Sequence, residues 1–256
     1  MTKRRRFIIQ STALSLGLLF IQSVDISWRY WAILGIGSIA YFFTAWSLRE
    51  EIRKISWLII LPLPALYTGS IGLFYFLLPA AFLTRIIVVS LFGVGMYALL
   101  LTENIFSVAA IRTIQLLRAA QAVGFLITLL TIFFIYDTIF SFKLIAWQNI
   151  PLIFGFSFIV VLQAIWSISL EDTINKRLIL ITFVLSLMAS ELAFFISFWP
   201  LSITALSLFL VSFWYVILGI VQNWLVGKLF SKTLNEYIRV ALIIFIITFF
   251  LSHWGG

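Results

Sequence analysis

The stretch LITFVLSLMASELAFFISFW (Leu180–Trp199) runs for twenty residues with a single charged side chain, Glu191. About 20 consecutive apolar residues is the length an α-helix needs to cross the hydrocarbon core of a bilayer. Runs of this kind recur along the whole chain, separated by short clusters of charge. A transmembrane barrel would instead show shorter segments of strict alternation, and none occur. Of the 256 residues, 63% are hydrophobic and 10% charged, with a mean hydropathy of +1.17. Soluble domains carry about 25% charged residues, so a water-facing surface around one core does not fit. The fold class expected is all-α: a polytopic transmembrane helix bundle forming a single integral-membrane domain over residues 1–256.

Nine spans are expected, at about 7–24, 30–48, 55–79, 86–102, 119–140, 151–169, 178–198, 201–221 and 238–254. The first follows MTKRRR, and no small-residue cleavage site follows it, so it reads as a retained span rather than a signal peptide. Lys and Arg concentrate on cytoplasmic loops. With the N-terminus cytoplasmic and nine crossings, the C-terminus lies outside. The inner segments then hold 14 of the 17 basic residues, leaving Arg29, Arg85 and Lys143 outside. Trp28, Trp31, Trp46, Trp57, Trp147, Trp199, Trp224 and Trp254 fall near the expected boundaries, as interfacial belts require. The net charge of +8 is therefore an orientation signal, and nucleic-acid binding loses its support. The location implied is a multi-pass protein of the plasma (inner) membrane.

Chemistry is sparse. The chain has no cysteine and one histidine, His253, which excludes disulfides, thiolate metal sites and the His-based motifs of intramembrane metalloproteases. No metal site and no cofactor are expected. Aspartyl intramembrane proteases need two aspartates, and Asp137 supplies one. A retinal protein needs a lysine inside its last helices, whereas Lys228 and Lys232 fall in a connector. Enzymatic activity is thus not the expectation, and a lipid-modifying enzyme stands a distant third among the function classes.

Four features carry functional weight. Glu191 lies roughly 4–5 Å from its span centre, where an acid costs on the order of 2.5–3.5 kcal/mol to insert. Either it is a protonatable group on a polar pathway or it bonds two helices together; Gln163 and Asp137 are its candidate companions. Pro62 and Pro64, in ISWLIILPLPALYTGS, either interrupt the third span, leaving Tyr67 and Thr68 beside a broken helix of the transporter kind, or only kink it. The stretch at 103–121 reads either as an interfacial helix opened by Glu103 and Asn104, with Arg112 and Arg118 facing lipid phosphates or a protein partner, or as a plain solvated connector whose arginines set topology. In the connector at 221–239, Lys228 and Lys232 share a face at i, i+4 spacing, or the segment is simply a basic interfacial loop.

The run LLTENIFSVAAIRTIQLLRAAQAVGFLITLL (Leu100–Leu130) resembles a segment of an uncharacterised family of multi-spanning bacterial membrane proteins of unknown function. That resemblance implies an inner-membrane location and brings no active residues. Two readings of function stay open: a small permease-like transporter working through Glu191 and the Pro62/Pro64 region, or a non-catalytic membrane scaffold or subunit. The partners expected are the lipid bilayer, its anionic head groups and another membrane protein.

Overall fold

In the computed structural model, residues 2–50, 57–79, 81–109, 115–170 and 175–252 are described, and among them every regular element is helical. The order is α1 (Lys3–Ile21), a 3₁₀ turn (Ile26–Trp28), α2 (Arg29–Ser47), α3 (Trp57–Ile60), α4 (Pro62–Tyr75), α5 (Phe82–Ala109), α6 (Leu117–Ser141), α7 (Ala146–Ser169), α8 (Lys176–Ile196), α9 (Ile203–Leu225) and α10 (Ser231–Leu251). Eight of the nine expected spans fall on one helix each, and the third, at 55–79, falls on α3 and α4. Seven segments are long and apolar enough to cross a membrane: α3 and α4 together, and each of α5 to α10. The remaining two have a compositional reason to fall short. The first turn of α1 is Lys3, Arg4, Arg5 and Arg6, and α2 is rich in Trp, Tyr, Gly and Ser.

Two expectations about connectors are corrected. Thr102 to Ala109 are the last two turns of α5 and not the start of a separate helix, so Glu103 and Asn104 lie inside a helix rather than at its start. Thr102, Glu103, Phe106 and Ser107 form its buried side, and this polar face is what read as amphipathic. Residues 110–114, with Arg112, lie outside the described residues. Likewise, within 221–239 the first residues end α9 and those from Ser231 on open α10, leaving only 226–230 as a turn. Gly227, at φ 70°, closes α9: its N–H donates to the Trp224 carbonyl (3.0 Å), and the Lys228 N–H to that of Asn223 (2.8 Å). This is the Schellman arrangement, which needs a residue in the left-handed region. Lys228 therefore sits in the turn and Lys232 in the first turn of α10, not on one helical face.

The proline pair does not divide its span near the middle. The interruption is one residue, Leu61, whose backbone keeps right-handed helical angles (φ −71°, ψ −32°) and whose N–H still reaches the Trp57 carbonyl at 3.3 Å. Pro62 and Pro64 both fall in the first turn of α4, where N–H groups have no intrahelical partner to lose. Thr68 donates to the Pro64 carbonyl (2.8 Å) and Ser70 to that of Tyr67 (3.2 Å), so both hydroxyls are used within their own helix.

The chain forms two compact units, divided inside α6: unit 1 takes the described residues up to Phe134 and Leu170, and unit 2 the others. In unit 1, α1 packs on α2 and α5, and α4 on α2 and α5. Small residues set the approach, as in membrane interfaces generally. A Cβ on Gly93 would lie 2.7 Å from Ser15 Oγ, and one on Gly95 would collide with the Tyr67 hydroxyl. In unit 2, α7 and α8 form a hairpin, α9 packs against both, and α10 packs on α9. At its centre Trp214 Nε1 donates to the Tyr136 hydroxyl (2.7 Å), which pairs with Ser157 Oγ (2.6 Å).

Candidate functional site

A charged layer closes one end of unit 1. Arg6 and Gln10, one turn apart on α1, both face inward, 2% and 0% exposed. Across from them on α2 are Thr44 and Ser47, both fully buried. Gln10 Nε2 donates to Thr44 Oγ1 at 2.7 Å, and Arg6 Nη2 donates to Glu50 Oε1 at 2.7 Å. Two bonds in this order along the helices show that α1 and α2 run antiparallel. Glu50 lies just past α2, is half exposed, and also meets Lys3 Nζ at 3.4 Å. The Arg6 hydrogen bond, with lesser help from Lys3, holds the Glu50 carboxyl below its ordinary 4.5.

Helix α5 brings the second charge. Successive helices of unit 1 reverse direction, so α5 runs antiparallel to α1, with Ser15 facing Gly93. Arg6 lies nine residues before Ser15 and Glu103 ten after Gly93. At 1.5 Å per residue the two therefore lie at nearly the same height, within about 2 Å along the axis. Glu103 is fully buried. Among the described residues, Arg6 Nε and Nη1, Gln10 Oε1 and Ser47 Oγ are buried in this layer with no hydrogen-bond partner. Leaving a buried polar group unpaired costs about 1–3 kcal/mol, more when it is charged. The layer thus presents unspent donors and an unspent acceptor beside a buried guanidinium, which is the chemistry of a site for a small anion or polar solute.

The residues expected from sequence lie elsewhere. Pro62, Pro64, Tyr67 and Thr68 are in unit 1; Asp137, Gln163 and Glu191 are in unit 2. Tyr67 is buried and stacks on Phe92, ring centroids 5.5 Å apart. Asp137 is buried and accepts from the Thr204 side chain. Gln163 is buried on α7, whereas Glu191 is on the exposed side of α8. It sits in a stripe with Leu180, Val184 and Leu187, all exposed.

These three do not converge. Gln163 is six residues from the α7 end of the hairpin and Glu191 fifteen past the α8 start, which separates them by about 13 Å along the axis. Asp137 follows Tyr136, the partner of Ser157, and Gln163 lies six residues further along α7, an axial offset of about 10 Å. Arg118, Lys228 and Lys232 are exposed.

Sequence reasoning missed Arg6 and Glu103, taking the first as an orientation charge and the second as a helix start. A signal for both was present. Arg6 with Gln10, and Glu103 with Ser107, are polar pairs at i, i+4 spacing that mark an inward face at a helix end. No family model, curated protein or solved structure matches this chain.

Proposed function

We propose that this protein is a small permease-like transporter of the plasma (inner) membrane, crossing it nine times with a cytoplasmic N-terminus and an external C-terminus. Its solute site is the charged layer of unit 1. The observation that carries this reading is Arg6: a guanidinium 2% exposed, with one of its three nitrogens bonded among the described residues. Ionisable groups enclosed in a membrane bundle are expensive and mark substrate or ion routes. The antiparallel packing of α1 and α2 within unit 1 supports counting both as crossings despite their composition. The basic-residue asymmetry puts the charged layer on the cytoplasmic side. A small anion, a carboxylate or phosphate, enters past Glu50, exchanges with its carboxylate on Arg6, and takes further hydrogen bonds from Arg6 Nε and Ser47.

Thermal unfolding of the purified chain against chloride, inorganic phosphate and acetate tests this. At least one anion raises Tm in the wild type; Arg6→Gln abolishes the rise and Arg6→Lys keeps part of it. A Tm indifferent to all three, or a rise that survives Arg6→Gln, overturns the reading.

A second reading, a membrane subunit that assembles laterally, draws on the exposure of Glu191 in an apolar stripe. An acid facing hydrocarbon costs on the order of 2.5–3.5 kcal/mol, and a partner helix bearing a donor removes that cost. A stoichiometric partner should then copurify with the wild type in mild detergent and be lost in Glu191→Leu. A clean monomer from both would sink it.

A further inference from the structure

Unit 2 contains a cleft that its own side chains do not fill. It lies between α8, α9 and α10, has a volume of about 480 Å³, and falls in the range of about 300–1,000 Å³ typical of ligand pockets. Its walls are Leu192 of α8, Phe209, Phe213 and Val216 of α9, and Leu242 and Phe245 of α10. One hydroxyl, Ser212, borders it, and that hydroxyl already donates to the Leu208 carbonyl at 2.7 Å. The cleft therefore offers an apolar occupant a lining and a polar one nothing. Apolar cavities of this kind stay dry and take hydrocarbon. The helix that bounds it is loosely held: of α10, only Thr248 is buried among the described residues.

Cations gather where α9 ends and α10 begins. Lys228 lies in the turn, Lys232 in the first turn of α10 and Arg239 two turns on, all exposed. The start of α8 joins them, because the Arg177 guanidinium lies over the Trp224 ring at 4.9 Å, and Lys176 is its neighbour. Glu236 is the acid facing this end from α10. The first cleft residue on α10, Ile238, follows Lys232 by six residues, about 9 Å along the axis. Charge at a helix end with an apolar slot one to two turns deeper matches the layout of a phospholipid: phosphate at the interface, acyl chain beneath it.

We propose that the α8–α9–α10 cleft is a specific site for an anionic phospholipid of the bilayer, one acyl chain filling the cleft and the phosphate held by Lys228 and Lys232. The bound chain supplies the packing that α10 lacks against the rest of unit 2. A neutral zwitterionic lipid with the same chains fits the slot but gains less from the lysines. A soluble glycerophosphate meets the lysines and leaves the slot empty.

The test is native mass spectrometry of the delipidated, full-length protein titrated with phosphatidylglycerol, with phosphatidylcholine of identical chains, and with glycerol phosphate. One phosphatidylglycerol binds per chain, at least fivefold more tightly than phosphatidylcholine, and glycerol phosphate does not bind. Lys228→Gln with Lys232→Gln brings the two lipids to equal affinity. Ala241→Trp, which fills the cleft, removes binding of both. Val216→Trp gives the same reading from α9 should the first variant fail to fold. Equal affinity for the two lipids in the wild type, or a preference unchanged by the lysine variants, overturns the charge assignment. Undiminished binding in a folded cleft-filling variant, or binding of glycerol phosphate as tight as the lipid's, overturns the cleft.

Discussion

Glu103 and Glu191 are two acids that the helices carry within long apolar surroundings, and they have opposite fates. Glu191 stands out in the sequence, alone among twenty apolar and small residues, yet its side of α8 is exposed. Glu103 sits near a loop in the sequence and looks like a helix-start residue, yet it is fully buried at the height of Arg6. Hydropathy finds an acid that is out of place along the chain. It does not tell which way the helix turns that acid. In a membrane protein the exposed side of a span is apolar too, so the usual inference from apolar neighbours to burial fails.

The sharpest way to break this contrast is to replace each acid by leucine and follow thermal unfolding in detergent. Glu103→Leu leaves the Arg6 guanidinium buried in its layer with the half-exposed Glu50 as its acid. Glu103 is fully buried, and leaving a buried partner of such a group unpaired costs about 1–3 kcal/mol, more when it is charged. Glu191→Leu continues an apolar stripe and leaves stability unchanged or raised. The double variant Arg6→Met, Glu103→Leu recovers much of the loss, because a buried ion set replaced by apolar side chains is often neutral. A larger loss from Glu191→Leu than from Glu103→Leu, or no recovery in the double variant, breaks the assignment of the buried layer.

A smaller effect sharpens it. The Glu50 carboxyl is held below its ordinary 4.5, first by the Arg6 hydrogen bond and then by Lys3. A carboxyl lowered in the folded state contributes stability that is complete above its unfolded value and is lost as pH falls through its folded value. The wild type therefore loses a small increment of Tm between about pH 5 and pH 3 that Glu50→Gln does not lose. Parallel pH profiles for the two proteins would show that Glu50 does not report on the layer.

The helical reading of the chain rested on run length, and the helices follow it closely. The expected spans at 86–102 and 238–254 grew to Phe82–Ala109 and Ser231–Leu251 because polar residues at their ends, such as Glu103, Ser107, Lys232 and Glu236, remain helical while facing neighbours or water. Hydropathy windows stop where polarity begins; a helix stops where its backbone is turned, here by Gly227. The proline pair was legible as a disturbance, but its position inside one first turn depends on where α4 starts. In the sequence Arg6 is one of the basic residues that open the first segment. That it turns inward follows from the Gln10–Thr44 contact one turn away, a pairing between helices that no single segment encodes.

Composition and the spacing of charge alone determined that this is a helical membrane protein, because hydrocarbon admits only segments whose backbone bonds close within themselves. They also placed nearly every helix. Which residues meet was decided by the tertiary structure alone. A helix rotated by a third of a turn keeps the same composition and length, and only contacts such as Ser15 against Gly93 and Gln10 against Thr44 select one rotation. That selection buried Arg6 and Glu103 together, turned Glu191 outward, and left the slot beside α10 unfilled.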